Sequence, residues 1–299
     1  MREIKRILCA VDLSDESRHA IEHAIVIARW YRAGITVLHV CNPLVIPATD
    51  VTLVGGVPPV LTVQEIKDAS DEVRACFASA PGGHDGVPLE VLVESGPPAR
   101  QILARAKSLA PDLIVIGTHG HGGFQHLVLG SVAEKVLRQA ACPVLTVPPS
   151  TRATSTLPFK RMLCPVDFSD SSRSALDFAL SLAREGDAEL TILHVLEWPD
   201  ALPPNWPVPT PEFRDAAERD VRATLAQLVP EADRQRCHPT LRLGDGKAYR
   251  EILGVATDGR TDLIVMGVHG RNPLDLLLFG STTNQVVRRA TCPVLTLRT

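Results

Sequence analysis

The chain is one unit written twice, and this internal repeat constrains its fold more than any other feature. Residues 7–14 read ILCAVDLS and residues 162–169 read MLCPVDFS. TVLHV at 36–40 returns as TILHV at 191–195, DLIVIG at 112–117 as DLIVMG at 262–267, and ACPVLT at 141–146 as TCPVLT at 291–296. Asp12 and Asp167 stand 155 residues apart, as do His39 and His194, whereas Gly96 and Gly246, and Gly117 and Gly267, stand 150 apart. A net five-residue deletion therefore falls between 195 and 246, a stretch that contains the proline-rich WPDALPPNWPVPTPE.

Within a copy, short β-rich apolar runs alternate with amphipathic stretches. RILCAVD reads as a strand buried on both faces. Ser14-Asp15-Glu16-Ser17 supplies an N-cap and an acidic first turn for a helix reaching about residue 32. ITVLHV is strand two, 63–79 a second helix, LEVLV strand three and Ala99–Leu109 a third helix. DLIVIG is strand four, Ser131–Ala140 a fourth helix and PVLTV strand five. Strands separated by helices imply a parallel sheet covered on both sides. The expected fold class is α/β: two tandem, doubly wound, five-stranded, Rossmann-like domains.

Size agrees, since 299 residues at roughly 150 per domain gives two. Pro, Ser and Thr in PPSTRATSTLP suit an exposed connection. The expected domains are therefore 1–149 and 159–299, with a linker at 150–158. With 31 Lys+Arg against 34 Asp+Glu, the net charge of −3 gives no global basic field for nucleic acid. Apolar runs fall short of the roughly 18–20 residues that span a bilayer, and MREIKRILCAVDL reads as a first strand rather than a secretory leader. Seven cysteines without a CxxC pair point to a reducing, cytoplasmic setting.

In an open parallel sheet, ligands bind beyond the carboxyl ends of the strands where the strand order reverses. Strand one ends at Asp12, strand two at Val40 and strand four at Gly117. After strand four comes Gly117-Thr-His-Gly120, nine residues, then Gly130-Ser131 opening a helix; the second copy has Gly267-Val-His-Gly270, nine residues, then Gly280-Ser281. Glycines let backbone N–H groups approach a ligand closely, and a helix N-terminus aims unpaired N–H groups and a positive dipole end at an anion. Asp12 and Asp167 could accept hydrogen bonds from a sugar or base. The combination suits a nucleotide.

The Gly-x2-Gly-x9-Gly-Ser spacing, the VD that closes strand one, the LHV strand and the CPVL near each copy's end together resemble the universal stress protein family, in its ATP-binding, tandem two-domain form. The resemblance covers nearly all of both halves and is weakest over 45–85 and 198–235. It implies strand order 3-2-1-4-5, ATP or another adenine nucleotide across strands one and four, and Mg2+ carried on the phosphates rather than by a protein metal site. It places the adenine–ribose end at Asp12 and Val40, the sugar and first phosphates at Gly117 and Gly120, and the outer phosphates at Gly130, Ser131 and Val132. The matching residues of the second copy are Asp167, Val195, Gly267, Gly270, Gly280, Ser281 and Thr282. Two residues before the aspartate stands Pro165 in the second copy, as often in the family, but Ala10 in the first. The family also pairs domains through strand five, which implies an intramolecular pseudo-dimer and leaves room for a homodimer.

Other motifs have plainer readings. His19-Ala-Ile-Glu22-His23 has a zinc-protease spacing, but the second copy replaces it with Ser174, Asp177 and Phe178, so surface histidines are expected. His119, His121 and His126 read as exposed loop residues; His39 and His194 as half-buried and hydrogen-bonded; Cys9, Cys142, Cys164 and Cys292 as small buried residues. Motif positions carry no Lys or Arg, and Arg271 has no counterpart in the first copy. No catalytic residue is assigned. That favours nucleotide binding with little hydrolysis over the alternative, a slow ATPase or phosphotransferase using the same mouth.

Overall fold

The computed structural model describes residues 4–41, 61–120, 129–151, 159–198, 210–268 and 280–298. The chain divides into two compact units, one within Arg2–Leu157 and the other within Pro158–Leu297. The first contains β1 (Arg6–Val11), α1 (Ser17–Tyr31), β2 (Gly34–Cys41), α2 (Val63–Ser79), β3 (Leu89–Ser95), α3 (Pro98–Leu109), β4 (Leu113–Gly117), α4 (Ser131–Gln139) and β5 (Val144–Val147). The second contains β6 (Arg161–Pro165), α5 (Asp170–Gly186), β7 (Glu189–Leu196), α6 (Pro211–Gln227), α7 (Glu231–Cys237), β8 (Thr240–Asp245), α8 (Ala248–Asp258), β9 (Leu263–Gly267), α9 (Ser281–Arg289) and β10 (Val294–Leu297).

In the first unit the strands run parallel in the order β3-β2-β1-β4-β5. The second repeats it as β8-β7-β6-β9-β10. The central strands are buried on both faces, which is why RILCAV and LIVIG read as nearly unbroken apolar runs. Leu8, Cys9, Ile114 and Val115 are fully buried, as are Leu163, Cys164, Ile264 and Val265. Helices α1 and α2 touch each other, as do α3 and α4, giving the two covering layers of a doubly wound sheet. β1 lies between β2 and β4, so the order reverses there. Val11 is level with His39 and Ala10 with Ile116.

Each unit also fastens the entry of its first strand to the residue before its fourth. Asp112 Oδ2 accepts the N–H groups of Lys5 and Arg6, each at 2.9 Å, and Asp262 accepts those of Lys160 and Arg161. A short helix without a counterpart among the described residues of the first unit, α7, is tied to α5 by Arg184 Nη1 and the buried carboxylate of Asp233 at 2.9 Å.

Two local expectations are corrected. Helix α1 begins at Ser17, so Asp15 and Glu16 precede its first turn; α5 does begin with an acidic residue, Asp170, and Ser169 caps it by accepting the N–H of Ser172 at 3.2 Å. His23 is not a surface histidine. It is 1% exposed because α1 is buried from Ala20 to Ala28, and its Nδ1–H donates to the His19 carbonyl at 2.7 Å. Burial holds its pKa below the ordinary imidazole value.

Burial also pushes the thiols of Cys9 and Cys292 up to about 12, and that of Cys164 upward. Such thiols ionise near pH 9 in the unfolded chain and far later in the fold, so their contribution to stability is complete below pH 9 and is lost as pH rises toward 12. Each should steepen the alkaline fall by at most about 1.4 kcal/mol per pH unit. Urea unfolding of Cys9→Ala at pH 8, 9.5 and 10.5 should show a shallower decline than the parent chain.

Candidate functional site

The mouth of the first unit is built on the residue that follows β1. Leu13 adopts a left-handed backbone with φ 63°, a conformation costing a branched side chain roughly 1–2 kcal/mol. The turn brings Ser14 back onto Asp12. The Ser14 N–H and Oγ–H donate to Asp12 Oδ1 at 3.1 and 2.6 Å, and Ser17 Oγ–H donates to the same oxygen. Ser17 Oγ in turn accepts the Asp12 N–H at 3.3 Å. One carboxylate oxygen thus gathers the turn, and the other is directed at Gly120: a Cβ there would lie 2.1 Å from Asp12 Oδ2. Beside them His39 donates from Nδ1 to the Val11 carbonyl at 3.1 Å, joining the end of β2 to that of β1. His194 makes the same bond to Val166 at 2.7 Å. Both histidines are hydrogen-bonded as expected; His39 is half-buried as expected, whereas His194 is buried.

The chain leaving β4 and the chain entering α4 are stapled to each other. Thr118, 1% exposed, donates its N–H to Val147 at 3.1 Å and accepts the Gly130 N–H at 2.8 Å. A Cβ on Gly130 would stand 3.0 Å from that Thr118 oxygen, so glycine is what permits the approach. The Gly130 N–H is therefore occupied, and this residue shapes the mouth rather than adding a donor. Its carbonyl accepts the Glu134 N–H at 2.9 Å and opens α4, which no side chain among the described residues caps. Ser131 is exposed and Val132 half-buried in the first turn. The amides of that turn form an uncapped helix N-terminus beside the end of β4.

Of the residues singled out from sequence, Asp12, Gly117, Gly120, Gly130, Ser131 and Val132 thus meet around one rim. Val40 is half-buried one strand further out and pairs with Glu94. Ala10 is 7% exposed inside the sheet, behind the rim. A polar cleft of about 480 Å³ opens beyond Val40, between the end of β3 and α3, lined by Glu94, Ser95, Gln101 and Arg105. Ser14, Ser17 and Thr118 complete the rim; the sequence places the two serines only at the start of the first helix. The signal for the two serines was present as the shared Asp-x-Ser-x-x-Ser of both copies.

The second unit repeats the frame. Ser169 donates its N–H and Oγ–H to Asp167 Oδ1 at 3.0 and 2.5 Å, Phe168 takes a left-handed φ of 67°, and Gly280 donates to Val268 at 3.0 Å. Helix α9, beginning at Ser281 and Thr282, also lacks a side-chain cap among the described residues. Pro165 ends β6, paired with Leu193, and Val195 is half-buried on β7 opposite Gly244. Gly270 lies outside the described residues, as do His121, His126, His269 and Arg271.

A model of the universal stress protein family matches residues 3–148 and again 158–298. The chain belongs to the universal stress protein family. A universal stress protein of Mycolicibacterium smegmatis is 29% identical over 98% of this chain and 96% of its own length. The universal stress protein YxiE of Bacillus subtilis is 32% identical over 48% of this chain and 97% of its own, the length of one repeat. Among solved structures, a universal stress protein from Archaeoglobus fulgidus superposes with TM-score 0.66 at 22% identity, covering 99% of this chain and 97% of that one, a likeness of fold. Among the described residues no helix is long and apolar enough to cross a membrane.

The glycines ending the fourth strands differ in what surrounds them. A Cβ on Gly267 would meet the Ser171 carbonyl carbon at 2.9 Å and its Oγ at 2.6 Å, whereas at Gly117 the nearest atom, the His119 oxygen, is 3.3 Å away. Gly267→Ala should destabilise the second unit by about 1–3 kcal/mol. Gly117→Ala should cost visibly less. Urea denaturation of the two variants checks the ranking.

Proposed function

We propose that this universal stress protein binds an adenine nucleotide at the rim formed by Asp12, Gly117, Gly120 and the start of α4, and that binding rather than rapid hydrolysis is its function. The observation that carries this reading is the uncapped first turn of α4 held against the end of β4 by the Thr118–Gly130 bond. Amides fixed in this way meet an anion without rearranging, and the helix dipole adds to them. The N–H groups of Ser131 and Val132 would donate to phosphate oxygens, with the Ser131 hydroxyl as a further donor. Gly117 and Gly120 leave room for the sugar and the first phosphate to approach the backbone, and Asp12 and Val40 border the base end.

Mg2+ fits this arrangement as a companion of the phosphates, supplying charge neutralisation; the rim residues contribute amides and one carboxylate already engaged by two serines. Partner choice through the bound nucleotide, in a cytoplasmic stress-response role, is the wider function proposed. The competing reading, a slow ATPase or phosphotransferase, needs a positioned base and a cation at the terminal phosphate. Single-turnover assays with magnesium-ATP should give negligible product over many minutes if binding is the function.

A sharper test uses the backbone. Ser131 occupies the first helical position, where proline is well tolerated, and Gly130 at φ −57° and ψ 136° already has the conformation preferred before proline. Ser131→Pro removes one amide donor without disturbing the helix. Loss of a hydrogen bond to a charged group, about 1.5–3 kcal/mol, should weaken ATP binding by roughly 10- to 100-fold at unchanged melting temperature. Ser131→Ala, which keeps the amide, should weaken it much less. Equal affinities for Ser131→Pro and the parent chain in calorimetric titrations would remove the amide cradle from the account.

A further inference from the structure

The two mouths share almost the same turn sequence. Residues 13–17 are Leu-Ser-Asp-Glu-Ser and residues 168–172 are Phe-Ser-Asp-Ser-Ser, so beyond the interchange of Leu13 and Phe168 a single position separates them: Glu16 against Ser171. The structural consequence is large. Glu16 is exposed, α1 starts only at Ser17, and the nearest approach of Glu16 to the Cβ position of Gly117 is its carbonyl oxygen at 3.9 Å. Ser171 is 5% exposed, α5 starts at Asp170, and Ser171 sets its Oγ, carbonyl carbon and Cβ 2.6, 2.9 and 3.0 Å from the Cβ position of Gly267. A carboxylate would lose its hydration over the glycine, so Glu16 turns out to solvent; a serine hydroxyl can be buried once it has partners. Ser171 has one in Ser169 Oγ at 3.2 Å, itself bonded to Asp167.

A second side chain covers the same glycine. Thr283 Oγ–H donates to the Gly267 carbonyl at 2.9 Å in a buried bond, where the first copy has Ala133. Gly267 is accordingly buried and Gly117 half-exposed. The position at which the sugar and first phosphate would lie against the backbone is thus less crowded in one repeat, where the nearest atom is the His119 oxygen at 3.3 Å, and filled by Ser171 in the other.

We infer that the two repeats are unequal: the N-terminal mouth takes the nucleotide, and Ser171 closes the C-terminal mouth over Gly267, so that one chain binds one nucleotide. This rests on the nucleotide reading above and specifies where it applies. Ser171 acts here as a specificity-determining residue for the second mouth, set by the length of the α5 N-terminus. The closed unit keeps its fold and its uncapped α9, while the surface that would receive a ribose is taken.

Isothermal titration of the full chain with magnesium-ATP reads the stoichiometry directly. One site per chain is expected. Gly120→Ala, which places a methyl group against Asp12, should abolish binding altogether, with circular dichroism and the melting temperature confirming that the variant is folded. The double variant Phe168→Leu, Ser171→Glu gives the second turn the sequence of the first and should raise the stoichiometry to two. Two sites in the parent chain, or one full site surviving in Gly120→Ala, would overturn the inequality while leaving nucleotide binding intact. A stoichiometry that stays at one in the double variant would overturn Ser171 as the obstruction. No binding by the parent chain at millimolar ATP would overturn the nucleotide reading and this inference with it.

Discussion

The adjacency of β1 and β4 is the constraint on which the rest depends. Both strands are buried on both faces, so their apolar runs fix them at the centre of the sheet, and the order reverses where they meet. Their ends must therefore release two connections into the same space. One carries Asp12 and its serines; the other carries Gly120 and returns as α4. Gly120 against Asp12 Oδ2 and Gly130 against the Thr118 carbonyl are the contacts that result, and a Cβ at either position would force its neighbour to shift.

Around that constraint the two repeats have diverged in residue type and kept their backbone. Left-handed conformations recur at Leu13 and Phe168, at Arg32 and Asp187, and at Ala110 and Arg260. None of these is a glycine, and only the first pair, both large and apolar, matches in chemistry. The recurrence at the first pair is what aims Ser14 and Ser169 at their aspartates. Function built on backbone donors tolerates such drift, because an amide is the same whichever side chain it carries. It tolerates far less any change in where the backbone can be approached, and a single serine at the start of α5 alters that approach.

Much of this was legible in the sequence. The repeat and the gathering of Asp12, Gly117, Gly120, Gly130 and Ser131 at one rim follow from apolar runs and glycine spacing, whereas the strand order within each unit was implied only by the family resemblance. The start of α1 was misplaced because Asp15 and Glu16 look like a favourable first turn, while Ser14 and Ser17 are engaged by Asp12 instead. Left-handed turns at leucine and phenylalanine leave no compositional trace, and His23 carries no sign that its helix is buried nearly all round. The occupied amide of Gly130 was equally hidden: a glycine at a helix start looks the same whether it donates to a ligand or to the chain. The difference between Glu16 and Ser171 was in plain view, but its meaning depends on where Gly267 lies.

The central claim is that amides at the start of α4 receive the phosphates. Hydrogen exchange at Ser131 and Val132, followed by NMR with and without magnesium-ATP, tests it most directly. The account predicts strong slowing at these two amides and none at Ser281 and Thr282. Unchanged exchange at Ser131 and Val132 under saturating nucleotide would contradict it.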